Sequence, residues 1–255
     1  KFYYRMQEVK EEVLEGPPDS RRPTKARQTI TMRPEDFQAA LGGVADAELA
    51  DVNMVVYHKW DVTRRLLEDA DAEQAKITTS GQGMKAWNRW HKNTRFHLEN
   101  FKAALDADGE WFLARDGWLY YRPLPGQDMT RTVVMAPVVD RLLLIEGNAA
   151  AGEFVQHVRF EGLALRHARW VMPPEGFEAA QAAAPIDAAV MIDGARHVHL
   201  VDSEVGHVGR YGLWFRKGCR DCLMSQCLIH DTGAGGVRIG EAGIAANEAE
   251  RTSHI

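Results

Sequence analysis

Long apolar runs are absent from the chain: no stretch of 18 apolar residues occurs among its 255, whereas a membrane-crossing helix needs about 20. The opening residues KFYYRMQEVK lack the apolar core of a signal peptide, so the chain as given is expected neither to span a membrane nor to carry its own address. Cysteine is scarce. Cys219, Cys222 and Cys227 are an odd count confined to nine residues, which argues against a stapled disulfide framework. Positive charge is not in excess either, with 31 Lys and Arg against 36 Asp and Glu and a net charge of −5. The short basic cluster of Arg21 with Arg22 does not alter that balance, so nucleic acid is excluded as a partner. A Gly-rich phosphate loop, H-E-x-x-H and G-x-S-x-G are also missing, and GAGG at 233–236 lacks the helix that a nucleotide site requires. No cofactor is implied.

What is present is an ordinary globular balance, 45% apolar and 26% charged residues, in a chain long enough for one large domain or two smaller ones. Residues 1–30 are polar and end in the breaker-rich EGPPDSRRPTKAR, which reads as an exposed connection or a truncated element. Pro34, Glu35 and Asp36 before FQAAL predict a short helix stopped at Gly42 and Gly43. VNMVVYHKWDV (52–62) and KITTSG (76–81), separated by a charged loop, read as strands. Leu98, Phe101 and Leu105 suit one face of a short helix over 97–106, and EWFLARDGWLYYRP predicts a hairpin turning at Asp116 and Gly117. Residues 31 to about 135 are therefore expected to form a β-sandwich-like module.

Beyond Arg141 the pattern changes. Sliding the sequence by 24 residues lays GARHVHLVDSEVGHVGRYGLWF over GCRDCLMSQCLIHDTGAGGVRI without a gap. Gly194 meets Gly218, Arg196 meets Arg220, Gly209 meets Gly233 and Gly212 meets Gly236, so turn residues recur where a coil must bend. Apolar positions coincide too: Met191 with Phe215, Val198 with Cys222, Leu200 with Met224, Val205 with Ile229, Leu213 with Val237 and Phe215 with Ile239. An earlier rung fits at an offset of 40, His157 over His197 and Leu165 over Val205, if about 16 residues loop out between Trp170 and Pro185. Short β-runs between glycine turns, with no helical period, predict a right-handed parallel β-helix over 141–255 with rungs about 4.8 Å apart. The polar ending NEAERTSHI neither caps nor repeats that coil, so the chain is expected to be a fragment, all-β and incomplete at its C-terminus.

The offset turns sequence positions into columns. One holds His167, His207 and Asp231, which either end strands and satisfy themselves in turns or converge as titratable groups of a site. A second runs Val190, Trp214, Arg238; a tryptophan beside an arginine could hold a sugar ring, or could pack under a loop. Asp231 and Glu241 flank the Arg238 strand. Glycoside hydrolysis needs two such carboxylates about 5 to 9.5 Å apart, one as acid and the other as base or nucleophile. Cys219, Cys222, Cys227 and His230 have zinc-like spacing, yet they align with small rung positions at Ala195, Val198 and Ser203, which favours core packing and no metal. His58 and Trp60 fit the alternation of a half-buried strand.

The segments VVYHKWDVTR, RFHLENFKAALDADGEWFLARDGWLYYRPLPG and HDTGAGGVRIGE, in this order, give the chain its family resemblance. Over residues 50 to 242 it resembles bacterial right-handed β-helix carbohydrate-active enzymes near glycoside hydrolase family 141. That resemblance implies a secreted or periplasmic hydrolase of plant or algal polysaccharide and carries over Asp231 as a catalytic carboxylate, for which Glu241, by its position past the Arg238 strand, is the expected partner. His207, Trp214, Arg238 and His167 would line the groove. It also implies chains that begin with earlier rungs and continue past this C-terminus. A polysaccharide lyase with a basic residue acting on a uronate, and a non-catalytic glycan-binding β-helix, are the other classes consistent with these residues.

Overall fold

The computed structural model describes residues 3–17 and 22–255, and Arg21 lies outside that range. The chain divides into two compact units, Lys1–Thr132 with Met172–Ala179, and Val133–Val171 with Ala180–Ile255.

The first unit holds β1 (Tyr4–Arg5), β2 (Glu8–Glu15), β3 (Lys25–Thr31), α1 (Pro34–Leu41), α2 (Asp46–Leu49), β4 (Asn53–Tyr57), β5 (Val62–Asp71), β6 (Lys76–Gly81), β7 (Arg95–Glu99), β8 (Trp111–Leu113) and β9 (Leu119–Tyr121). Hydrogen bonding runs through a single antiparallel sheet in the order β1-β7-β4-β5-β6-β3-β2. Ten-residue β5 makes that path continuous: Val62 to Leu66 pair with β4, and after a register shift between Leu67 and Asp69 the rest pairs with β6. Such an irregularity bends a strand. The sheet encloses one core that includes Met6, Ile30, Met54, Val56, Leu67, Ile77 and Phe96, with Phe37 and Leu41 of α1 packed into it.

Several sequence expectations are corrected here. The first thirty residues supply three paired strands; Ala26, Gln28 and Ile30 of β3 are buried in alternation, a signal hidden by the polar Arg27 and Thr29 between them. The charged stretch after Val62 is β5, whose inward Thr63, Arg65 and Leu67 alternate with exposed-side residues. Residues 52–62 are β4 followed by a turn in which the His58 amide donates to Asp61. The helix expected over 97–106 is β7 plus a short 3-10 turn, Lys102–Ala104. Phe96 and Leu98 pair with Val56 and Met54 on β4, so sheet pairing overrides the coincidental helical spacing. The helix at Pro34 and the hairpin at Asp116 and Gly117 form where expected.

The second unit begins with β10 (Leu143–Glu146), β11 (Val155–Glu161) and β12 (Ala164–Ala168). The next strand, β13 (Phe177–Glu178), belongs to the first unit and adds an eighth strand beside β5. Then follow β14 (Ala188–Asp193), β15 (Ala195–Val201), β16 (Glu204–Val208), β17 (Tyr211–Phe215), β18 (Leu223–Ser225), β19 (Leu228–Thr232) and β20 (Val237–Ile239). The chain visits three parallel sheets in turn: β10-β14-β17-β20, β11-β15-β18 and β12-β16-β19. The whole protein is mostly β.

The registers match most of the expected columns. Val158 pairs with Val198, Leu165 with Val205, Leu200 with Met224, Val205 with Ile229 and Leu213 with Val237. One rung departs from the repeat. Met191 pairs with Trp214 and Ile192 with Phe215, one residue short of the offset, because one residue more separates Phe215 from Arg220 than separates Ile192 from Arg196, its bridge partner. Val190 is therefore inward, opposite Leu213, and Met191 is the neighbour of Trp214. Between the sheets lie Val190, Ile192, Val198, Leu200, Val205, Leu213 and Phe215, a stack of β-branched and large apolar side chains suited to parallel strands with buried faces.

Candidate functional site

The His167, His207, Asp231 column sits within strands β12, β16 and β19, and all three residues adopt left-handed backbone, with φ of 67°, 52° and 47°. His157 on β11, His197 on β15 and Asp221 just before β18 repeat the same device, with φ of 57°, 52° and 52°. His and Asp tolerate this conformation better than most side chains. A stacked bend of the chain therefore selects these residue types before any chemistry does. The imidazoles stack in parallel, His167 on His207 with ring centroids 5.2 Å apart and His157 on His197 at 4.8 Å.

Around His207 the geometry goes beyond a bend. The His207 Nδ1–H donates to Asp231 Oδ2 at 2.6 Å, and the ring meets His230 edge-on at 5.1 Å. His230 Nε2 donates to Glu204 Oε1 at 2.9 Å, and Glu204 also receives Arg166 through Nε at 2.7 Å and through Nη2. Gly206 makes room for this, since a Cβ there would lie 2.5 Å from His230 Nε2. Arg166 and then His230 hold the Glu204 carboxyl well below the usual range, at about 2. Two carboxylates, one ionised and pinned, the other 69% exposed, thus bracket perpendicular imidazoles on one sheet. Such an arrangement can accept, donate and relay protons.

The sequence columns missed Arg166, Glu204 and His230. The signal was available: Arg166, Gly206 and His230 occupy the rung position just before the His167 column, and Glu204 lies two residues upstream of Gly206.

The other expected residues lie elsewhere. Glu241 lines a cavity of about 470 Å³ together with Arg216, Lys217, Glu250 and Arg251, and its carboxylate is 3.8 Å from Arg216. Asp231 does not line that cavity. Trp214 is only 6% exposed. The Arg238 guanidinium covers its ring at 3.6 Å, and its Nε1–H donates to the Gly240 carbonyl at 2.8 Å. Arg238 also donates to the Ala184 carbonyl at 2.6 Å. The exposed sugar platform expected there is a packed pair, because the ring is sandwiched into the β14-β17-β20 ladder next to Met191. Cys219 and Cys222 sit in the core, where their thiols donate to the carbonyls of Ile192 and Ala195, and burial pushes Cys219 up to about 12. His58 and Trp60 lie within the β4–β5 turn and not on a strand. The His58 ring accepts from Trp90 and contacts the Thr63 hydroxyl, and Trp60 stands 76% exposed. Among the described residues no group of three or more His, Cys, Asp or Glu is arranged to hold a metal ion, and no helix is long and apolar enough to cross a membrane.

No protein-family model matches the chain, and no curated protein matches its sequence. Among solved structures, a chain titled "Glycoside hydrolase" superposes with a TM-score of 0.66 at 17% identity over 96% of this chain. The chain spans about half of that structure, 47% of its length. At that identity the likeness is one of fold: the chain shares the fold of a carbohydrate-active enzyme.

Proposed function

We propose that the protein is a glycoside hydrolase acting on plant or algal polysaccharide, built on a right-handed parallel β-helix near glycoside hydrolase family 141 and working outside the cytoplasm. The observation that carries this reading is the Asp231–His207 hydrogen bond within the cluster completed by Glu204, His230 and Arg166. It is supported by the three parallel sheets visited in turn and by the fold shared with a chain titled glycoside hydrolase. In this reading Asp231 is the catalytic carboxylate, exposed enough to reach a glycosidic oxygen, and His207 orients it. Glu204, kept ionised by Arg166 and His230, faces the positive charge that develops on the sugar ring in the transition state. Glu241 takes no part in the proton transfer, and the covered Trp214 and Arg238 support the rung beneath.

The same hydrogen bond favours one other reaction. A histidine bound to a carboxylate through Nδ1 is also a general base, which in a uronate-containing glycan would start β-elimination. The deciding experiment measures reducing-sugar release and ultraviolet absorbance together on a panel of plant and algal polysaccharides, for the protein and for Asp231→Asn. Release without absorbance, lost in the variant, supports the hydrolase; absorbance growing with release supports the lyase. Equal release by both proteins would move the site away from Asp231, and neither signal would leave a glycan-binding protein.

A further inference from the structure

The first unit contains a cleft of about 790 Å³, formed by residues that the reading above leaves unused. Its lining includes small side chains such as Ala40 and Ala103, together with Trp111. Trp111 is 66% exposed, while its neighbour Phe112 is 5% exposed; strand alternation sends one to the core and the other to solvent. Trp111 pairs across the β8–β9 hairpin with Tyr121, so a rigid aromatic surface continues outward from the cleft. A large indole held open beside a concave site, with a few polar groups converging on it, has the character of a ligand pocket.

The polar rim is ordered before any ligand arrives. Glu99 accepts from Asn53 at 2.6 Å, from His97 at 3.0 Å and from Arg64, and the Tyr57 hydroxyl bonds the other nitrogen of His97 at 3.0 Å. Glu110 Oε2 receives the backbone amides of Asp106 and Ala107 at 2.8 and 2.9 Å, which leaves Oε1 open. Asn100 donates to the Asp51 carbonyl at 2.9 Å and keeps its own oxygen available. These open groups are acceptors, as a ligand rich in hydroxyl donors requires. The carboxylates of Glu99, Asp106 and Glu110 give the cleft a negative edge, and of the nearby cations Arg64 is engaged by Glu99 and Lys102 by the Tyr120 ring. A uronate, sulfate or phosphate would meet like charge there.

We propose that this cleft binds a neutral oligosaccharide, one sugar ring lying against Trp111 and its hydroxyls donating to Glu110 and Asn100. The site is non-catalytic and independent of the Asp231 cluster. Calorimetric titration with xylohexaose, cellohexaose, mannohexaose and trigalacturonate tests it on the protein, Trp111→Ala, Trp111→Tyr and Asp231→Asn. At least one neutral hexasaccharide is expected to bind, at least tenfold more weakly to Trp111→Ala, with most of the affinity kept by Trp111→Tyr. The same loss is expected when Trp111→Ala is compared with its parent on the Asp231→Asn background, so failure of the hydrolase reading leaves this result standing. No binding of any neutral oligosaccharide, an unchanged Trp111→Ala, or tighter binding of trigalacturonate would overturn the proposal.

Discussion

His207 and Asp231 stand one rung apart and are joined by a 2.6 Å hydrogen bond between two residues that both adopt left-handed backbone. The bond needs the parallel ladder of β16 and β19, which sets the two side chains side by side at the strand spacing. If Asp231 is the reacting carboxylate, Asp231→Asn should lower kcat by about 10²-fold or more. His207→Ala should lower kcat by less and leave KM nearly unchanged. Steady-state kinetics on the best polysaccharide of the panel reads both, and a larger loss in His207→Ala would reverse the two roles.

The backbone of the column makes a separate prediction. With φ at 52°, His207 occupies a conformation that costs a β-branched residue more than it costs His, Asn or Gly. His207→Val should destabilise the protein by about 1–2 kcal/mol more than His207→Gly. Urea denaturation of the two variants measures the difference, and equal stabilities would show that the bend is held by its neighbours alone.

Glu204 controls part of the acid limb of stability. Its folded-state pKa is about 2 against an ordinary value of 4.5, so the unfolded chain binds the proton first as the pH falls. The stabilisation is complete above about pH 4.5 and is lost as the pH drops toward 2. In Glu204→Gln the decline of melting temperature across that window should be shallower than in the parent. Parallel curves would mean that Arg166 and His230 do not hold the carboxylate in solution.

Cys219 should be inert. Its thiol is buried and raised to about 12, leaving almost no thiolate at pH 8. Alkylation followed by peptide mapping is expected to modify half-exposed Cys227 first and to reach Cys219 only on unfolding. Modification of Cys219 in the native protein would place it outside the core.

The Arg238 guanidinium over Trp214 is a further measurable contact. Arg238→Ala should shift tryptophan emission to longer wavelength and cost about 1–2 kcal/mol. Unshifted emission would show that the ring is sheltered by the ladder alone.

The ladder of the second unit is legible in the sequence because parallel stacking repeats residue types at a fixed interval, as with Val158 over Val198 and Leu165 over Val205. The one-residue slip at Met191 and Trp214 was not legible, since the extra turn residue between Phe215 and Cys219 leaves both flanking alignments plausible. In the first unit no period existed to lean on. Charged strands such as β5 hid their inward Thr63, Arg65 and Leu67, and the helical spacing of Leu98, Phe101 and Leu105 masked the end of β7. At the candidate site, the repeat identified His207 and Asp231 but gave no reason to connect Glu204 with Arg166, because that contact crosses from one rung to the next on a diagonal. Exposure was harder still: Trp214 and Trp111 look alike in sequence, yet one is covered by an arginine and the other faces solvent.

Two residues of β13, encoded far downstream of the rest of their sheet, complete the first unit. Glu178 there accepts from Arg22 at 2.5 Å and pairs with Lys85 at 2.5 Å, and all three side chains are largely shielded from water. A gene cut after Thr132 would therefore produce a first half in which Thr63 and Arg64 of β5 have lost their β13 partners and the Arg22 and Lys85 charges have lost a common counterion. Supplying 172–179 as a separate peptide ought to restore it, so the natural joint for dissecting this protein is a loop excision and religation, not a single cut.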